Sequence, residues 1–510
     1  MANWTDHGTI ASFGTFSWAV SAAWAPQAIS RNGKFYLYAP LNNKSGATVI
    51  GVGVSTSPIG PYQDAIGQPL VTAGCSGGTG DIDPTVFVDD DGQAYLYFGR
   101  SVPGYVKLNS DMVSYSGGIQ CPTDSTQTFG PAPSGGGFPT QYEEGPWIMK
   151  HAGEYYLAYA ANGIPEDISY SRATAPVGPF TYGGIIMKAA GASFTNHTGI
   201  IDFGGHSYFF YHDGALQKGG SVPANGDGYH RSVCLEEFTY KADGSFPTIT
   251  ATTGGPQPIA HLNPFLQTEA ETIAWESGVQ TEVTSDTGGG MDVTNIQNGD
   301  YTKVASVDFG TGATSFSARV ASSTNGGSIE LHLDDLASST IGACAVAGTG
   351  GAQTWRTLTS CAVTGATGVH DLFLRFTGGS GDLFNVNWWK FDGPGANDPS
   401  DAGAVDGSPS DADNEGVDGG LSSAGGTSGG SSSGNGGALS GSSSGDGESG
   451  ASGAGSSSNG ASTTGNVSAG NGGGCSCRVA ADRRVSASDV LPLMALGALR
   501  WRRRVRRYKP

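Results

Sequence analysis

Positive charge is what this 510-residue sequence has least of: 26 Lys and Arg stand against 45 Asp and Glu, a formal net charge of −19. That balance excludes nucleic acid and anionic membrane as partners of the folded part. An acidic, lysine-poor, aromatic-rich surface suits a neutral polar ligand such as a sugar, and it equally keeps an exported protein soluble. No CxxC pair occurs among the seven cysteines, which argues against a zinc site. Cys344 and Cys361 flank two strand-like runs and are placed to pair, whereas Cys75, Cys121 and Cys234 are scattered, so at least one is free or buried. Helical periodicity is nearly absent. The opening MANWTDHGTIAS has no basic segment, apolar run or small-residue cleavage site, so no secretory leader is expected there. The apolar run Val490 to Leu499 is too short to cross a bilayer as a helix.

Composition divides the chain. From Pro399 to Gly474 it is mostly Gly, Ser, Ala and Asp. Such a stretch cannot bury enough apolar surface to offset its ordering entropy and reads as a disordered linker. The expected organisation is a first domain over 1–262, a second over 263–393, the linker over 394–474 and a short tail over 475–510.

What the first domain does have is a repeat. NGKFYLYAP, DGQAYLYFG, AGEYYLAYA and GGHSYFFYH each place a glycine turn before a β-rich aromatic run. Each follows a short partner strand: WAPQAIS, IDPTVFVD, EGPWIMK and HTGIIDF. The turn glycines, Gly33, Gly92, Gly153 and Gly205, recur every 50–60 residues or so, a period that points to propeller blades. Four full blades are expected, with NWTDHG as the outer strand of one more, incomplete first blade. Two of the inner strands start with an acid beside a rigid turn: Asp83-Pro84, and Glu144 before Gly145-Pro146. The fourth has Asn196-His197 there. Blade geometry brings these starts to one end of the channel. Two carboxyls meeting there match glycoside hydrolysis, in which one acid protonates the leaving oxygen and a second carboxylate activates water or attacks. Taken singly, Asp-Pro and Gly-Pro are ordinary turn dipeptides.

These segments, from WTDHG and FSWAVSAAWAPQAISRNGKFYLYAP through DIDPTVFVDDDGQAYLYFG and EGPWIMKHAGEYYLAYA to NHTGIIDFGGHSYFFYH and RSVCLEEFTYKADGS, closely resemble glycoside hydrolase family 43. The resemblance runs from Trp4 to about Pro258. It implies a five-bladed β-propeller that cleaves arabinoxylan or arabinan by inversion, with Glu144 as general acid and Asp83 as the residue that tunes its pKa. It implies substrate-side roles for Arg231 and Trp24, and a channel calcium held through water by His197. Glu143 is expected to point away from Glu144. The family's general base lies in an Ala-Asp-Pro-like segment for which this sequence offers no equivalent acid; an N-terminal truncation is the expectation that accounts for the missing base and the missing leader together.

From about Asn263 short alternating strands separated by Gly turns indicate a β-sandwich of jelly-roll type. Pro264 to Gly393 closely resembles carbohydrate-binding module family 6. That resemblance implies sugar contacts by Tyr301, Trp355 and Asn385, and a structural calcium held by Glu269, Glu271 and Asp392. Where many members read GGWQ, this chain reads GGAQ with Ala352. Each aromatic also has an ordinary reading as packing between strands, and Trp388 and Trp389 face opposite ways, so one is expected in the core. The end, with Cys475 and Cys477, an apolar run and an Arg cluster, resembles a myxobacterial-type C-terminal sorting tag; an amphipathic basic tail is the alternative. The resulting expectation is an exported or cell-surface, monomeric arabinofuranosidase that binds plant cell-wall arabinoxylan, touching membrane only through its tail. A β-xylosidase or arabinanase, or a noncatalytic carbohydrate-binding protein, are the alternatives.

Overall fold

The computed structural model describes residues 2–75, 80–132, 140–190, 193–213, 231, 233–252 and 255–397. The Gly/Ser-rich segment and the tail with Cys475 and Cys477 lie outside the described residues.

The first half forms four antiparallel sheets around the repeats. The first joins Gln27–Arg31, Lys34–Asn43, Thr48–Ser55 and Gln63–Asp64, with Ala19–Ser21 added beside the second strand. The second contains Thr85–Val88, Ala94–Phe98, Gly104–Leu108 and Tyr115–Gln120. The third runs Tyr142–His151, Glu154–Ala161, Asp167–Ala173 and Thr181–Met187. The fourth has three strands among the described residues, Gly199–Phe203, His206–His212 and Val233–Phe238, where a full blade was expected.

The second strand of each repeat is aromatic because it is buried on both faces. In Ala94–Phe98, residues Ala94, Leu96 and Phe98 pack with Tyr38, Ile50 and Val52 of the first sheet. Tyr95 and Tyr97 of the same strand pack with Ile148, Leu157 and Tyr159 of the third. In Glu154–Ala161 the alternation repeats: Leu157 and Tyr159 face back, while Tyr156, Ala158 and Ala160 pack with Ile200, Phe209 and Tyr211 of the fourth sheet. Successive strand side chains point to opposite faces, so a strand clamped between two neighbours must be apolar at every position. Burying one such aromatic hides roughly 150–250 Å², on the order of 4–6 kcal/mol at ~25 cal/mol per Å² before entropy is subtracted. Hydroxyls of three of the buried rings are satisfied across blades: Tyr38 donates to the Met112 carbonyl at 2.6 Å, Tyr97 to Pro176 at 2.8 Å and Tyr156 to Gly244 at 2.8 Å.

Beyond Asn263 the strands form one strongly bent sheet. Trp275–Ser277, Tyr301–Asp308, Val369–Gly378, Gly327–Leu333 and Gly342–Val346 make one layer. Gly351–Ala366, Ala313–Ser322, Asn385–Asp392, Met291–Thr294 and Gln280–Val283 make the other. Gly342↔Val363 is the pairing that joins them. Phe316, Leu331, Leu374, Phe376, Trp389 and Phe391 fill the space between. Trp389 is in this core and Trp388 is half-buried on the other face, as the alternation required. Cys344 and Cys361 form a disulfide, Cys75 and Cys121 form another, and Cys234 is free and buried.

One expectation is corrected. Trp4–Thr5 is not an outer blade strand; it pairs antiparallel with Thr272–Ile273 at the edge of the sandwich. Asn3 fixes it there by donating to and accepting from the Ala305 backbone at 2.9 and 2.8 Å. A two-residue strand has too little pattern to declare its partner.

Candidate functional site

The site is built where the innermost strands of the second, third and fourth sheets begin. Asp83 and Gly145 occupy the same place in two successive repeats, each just before a proline, and both have left-handed backbone, φ +56 and +60. The residue before proline normally stays extended, and a non-glycine residue at positive φ is uncommon and concentrates at functional sites. The two positions are also bonded to each other: the Gly145 N–H donates to Asp83 Oδ2 at 3.0 Å. A side chain at Gly145 would stand 3.2 Å from His197 Nδ1. The hydrogen bond and this close approach bring Asp83, Glu144 and His197 together.

Asp83 is buried, and burial pushes its carboxyl up to about 6, against the opposing pull of the Gly145 N–H and the charges of Arg231 and Arg100. Glu144 is partly open to solvent, and Arg100 Nε lies 3.3 Å from its Oε2. Burial and then the Asp83 charge raise the Glu144 carboxyl, while Arg100, His197 and Arg231 hold it back. Desolvation penalises the charged form of every group, so the same burial pushes His197 down to about 4 and His212 down to about 3; both are neutral near pH 7. Arg231 is exposed and donates to Thr195 Oγ1 at 3.2 Å, and its charge is felt by Asp83, Glu144, His197 and His212. Asn196 Nδ2, Thr85 Oγ1 and Thr198 Oγ1 are buried without protein partners, which marks the space beside these strand starts as polar. Trp24 is 50% exposed, just before Gln27–Arg31, at the strand start of the first sheet that corresponds to Glu144.

Chemically, this arrangement raises the proton affinity of one carboxyl beside a second, more buried carboxyl, with cations on the solvent side. It can deliver a proton to a leaving oxygen at a polar, partly desolvated site. Glu143 turns away from Glu144, as expected, and lies buried against Glu166.

On the sandwich, Trp355 and Asn385 share one outward face. Trp355 Nε1 donates to Gln353 Oε1 at 3.2 Å, and the Gln353 amide donates to Glu282 and Asp292, both at 2.9 Å. Asn385 Nδ2 donates to the same two carboxylates at 2.8 and 3.1 Å. Tyr301 belongs to the other layer, where its ring packs 6.0 Å from Phe373. Glu271 lies near Glu269, Asp6 and Asp292; it is 4% exposed with Oε2 unpartnered, and burial pushes its carboxyl to about 8. Asp392 is exposed and paired with Lys390 at 3.0 Å, four positions along its strand from Trp388, the residue opposite Glu269. No group of three or more metal-ligating side chains forms among the described residues.

Arg100, Glu166, His212, Gln353, Glu282 and Asp292 belong to these sites and were not anticipated from the sequence. Arg100 had a usable signal, since it directly follows the aromatic run and turn AYLYFG.

Two family models match the chain: glycosyl hydrolases family 43 over residues 1–246 and carbohydrate binding module (family 6) over residues 269–393. An arabinoxylan arabinofuranohydrolase of Bacillus subtilis (strain 168) is 40% identical over 440 residues, covering 77% of this chain and 81% of that protein. One from Paenibacillus polymyxa is 36% identical, covering 77% of this chain and 65% of that protein. The crystal structure of a Bacillus subtilis glycoside hydrolase family 43 arabinoxylan arabinofuranohydrolase in complex with cellotetraose superimposes with a TM-score of 0.66 at 38% identity, covering 76% of this chain and 85% of the other.

Proposed function

The chain belongs to glycosyl hydrolases family 43 and carries a family 6 carbohydrate binding module, and from that premise we propose that it releases arabinofuranosyl side groups from arabinoxylan with inversion at the anomeric carbon. The observation that carries this reading is the strand-start geometry: Glu144, held up by burial and by the Asp83 charge, sits one residue from the Gly145 N–H that Asp83 accepts. Glu144 donates its proton to the departing sugar oxygen. Asp83 keeps that proton in place and fixes the backbone of the acid. Arg100, Arg231 and the Trp24 ring contact the substrate from the solvent side.

Inversion also needs a carboxylate to activate water. Among the described residues the corresponding strand starts of the first and fourth sheets carry no acid: they read Trp24-Ala25-Pro26 and His197-Thr198. The five-bladed reading places that base on a further blade. Added azide or formate tests the role directly. Acceleration of cleavage of an aryl arabinofuranoside means the position is open; full activity without acceleration means another acid fills it.

The sandwich retains the enzyme on xylan through the Trp355 face. Its Glu271 has an unpartnered buried oxygen among carboxylates, which fits a hard cation such as calcium; Glu269 and Glu271 would hold it, and the Lys390-paired Asp392 fits less well. His197, neutral and beside unpartnered Asn196, Thr85 and Thr198 atoms, fits a hydrated calcium in the channel. Export to the cell surface, monomeric behaviour and a role for the tail in sorting complete the proposal.

The deciding experiment incubates the full chain with arabinoxylan and identifies the sugar released. Arabinose from the parent, a loss of roughly 10²–10⁴-fold in Glu144→Gln, and unchanged pull-down on xylan are the expected results. Xylose in place of arabinose would support the xylosidase reading. Pull-down with no product would leave a binding protein.

A further inference from the structure

Behind the acid strand lies a pair of carboxyl groups that this mechanism does not use. Glu143 directly precedes Glu144, at an irregularity where the pairing with Glu154–Ala161 shifts register. Glu166 stands just before Asp167–Ala173. The two residues are 3% and 2% exposed, and their carboxyls meet within hydrogen-bonding reach.

Backbone holds the Glu166 carboxyl, whereas Glu143 Oε1 is buried without a protein hydrogen-bond donor and lies 3.5 Å from where a side chain on Gly163 would begin. Glu166 Oε2 accepts from the Asn196 N–H at 2.7 Å, and the Glu166 N–H donates to the Phe194 carbonyl at 3.0 Å. The Glu143 carbonyl accepts from the Ser101 N–H, next to Arg100, at 2.6 Å. The pair therefore touches the segment carrying Arg100, the strand carrying Glu144 and the segment leading into His197. Arg100 pairs with Glu144 and Arg231 donates to Thr195, and the Arg100 charge also reaches Glu143. Two buried carboxyls in contact cannot both ionise at reasonable cost. One proton between them gives a short, charge-assisted O–H···O bond and leaves a single negative charge.

We propose that Glu143 and Glu166 share one proton and form a positioning clamp that fixes the acid strand at Glu144 against the Phe194–His197 segment. The inference rests on Glu144 being the general acid. Burial raises both carboxyls, that of Glu166 to about 9, so the shared proton persists through neutral pH. The charged groups that act on the pair are Glu144 beside Glu143 and Arg100 from the second sheet; Asn196, which binds Glu166, is followed by His197 and also accepts from the His212 N–H.

The test uses the full chain and separates kcat from KM on an arabinoxylan oligosaccharide. Glu166→Ala and Glu143→Ala are each expected to lower kcat by about tenfold or more with little change in KM, because a misplaced acid costs turnover and not binding. The double variant is expected to be no worse than the worse single one, as befits two halves of one device. Glu166→Gln keeps an N–H for Glu143 and a carbonyl for Asn196, and is expected to restore most of kcat. Infrared spectra read the proton independently of catalysis: in a Glu144→Gln, Glu271→Gln background, which removes the sandwich carboxyl that burial pushes to about 8, the carbonyl band of a protonated, buried carboxyl persists just above pH 7, and adding Glu166→Gln removes it. Unchanged kcat in Glu166→Ala would overturn the clamp, as would a Glu166→Gln variant as slow as Glu166→Ala, or a band that survives Glu166→Gln. If the alanine variants do not fold, the glutamine variant and its spectrum decide alone. A parent chain that releases no sugar sinks the hydrolase reading instead, and the infrared comparison still decides the shared proton.

Discussion

Asp83 shows how much one residue is asked to do. It adopts left-handed backbone before a proline, accepts the Gly145 N–H and places a buried charge beside Glu144. Asparagine at this position can still accept from Gly145 and tolerates positive φ, so Asp83→Asn removes the charge alone. The sign of the effect follows. A negative Asp83 favours protonated Glu144, so without it the Glu144 carboxyl falls and the alkaline limb of kcat/KM moves to lower pH. One pH unit of displacement corresponds to about 1.4 kcal/mol of lost interaction. Asp83 itself takes up a proton below about 6, so the alkaline-limb difference should fade as the pH falls below that value. A pH–rate profile that keeps its alkaline limb in Asp83→Asn would show that burial alone sets the acid. Asp83 and Glu144 were legible in the sequence because a repeat puts them one position apart at the same strand start of two blades. Glu166 was not, because nothing in the run GIPEDISY signals that its carboxyl folds back against residue 143.

At the scale of the element, the blades were legible for a physical reason. A strand buried on both faces has no polar alternation to dilute its signal, so AYLYF and YYLAYA announce themselves. The sandwich was harder to read in detail. Its long strand Gly351–Ala366 crosses between layers with several register shifts against Ala313–Ser322, and that bend decides which aromatics share a face. Trp355 falls with Asn385, through Gln353, Glu282 and Asp292, while Tyr301 falls on the other layer. The three expected sugar contacts therefore stand on strands of both layers. The two faces give different outcomes in affinity electrophoresis on soluble xylan. Trp355→Ala is expected to weaken retention by about tenfold, the worth of one aromatic platform of ~1.4 kcal/mol, with Tyr301→Ala close to the parent. The reverse ranking would move the sugar site to the Tyr301 layer.

For the whole molecule, the segment from Asn3 to Gly8 ties the first half of the chain to the sandwich. The Trp4 ring lies edge-on to Phe210 of the fourth sheet at 6.1 Å, while its backbone pairs with Ile273. Asn3 makes two hydrogen bonds to Ala305, the Thr5 and Thr272 hydroxyls meet at 2.8 Å, and Thr281 donates to Asp6 at 2.6 Å. At roughly 0.5–1.5 kcal/mol net per hydrogen bond, these contacts couple the two modules by a few kcal/mol, enough to merge their unfolding but too little to hold either one folded. Asn3→Ala combined with Trp4→Ala is therefore expected to split one calorimetric transition into two, lowering one or both while leaving xylan retention by the sandwich intact. The lower transition identifies the module that depends on its neighbour, and the fourth sheet, whose Ile201, Phe203 and Val233 are exposed, is where that dependence should fall. A single transition shifted as a block would show that the modules are coupled elsewhere, the Leu262 bridge to Ser306 and Asp308 being the next contact to break.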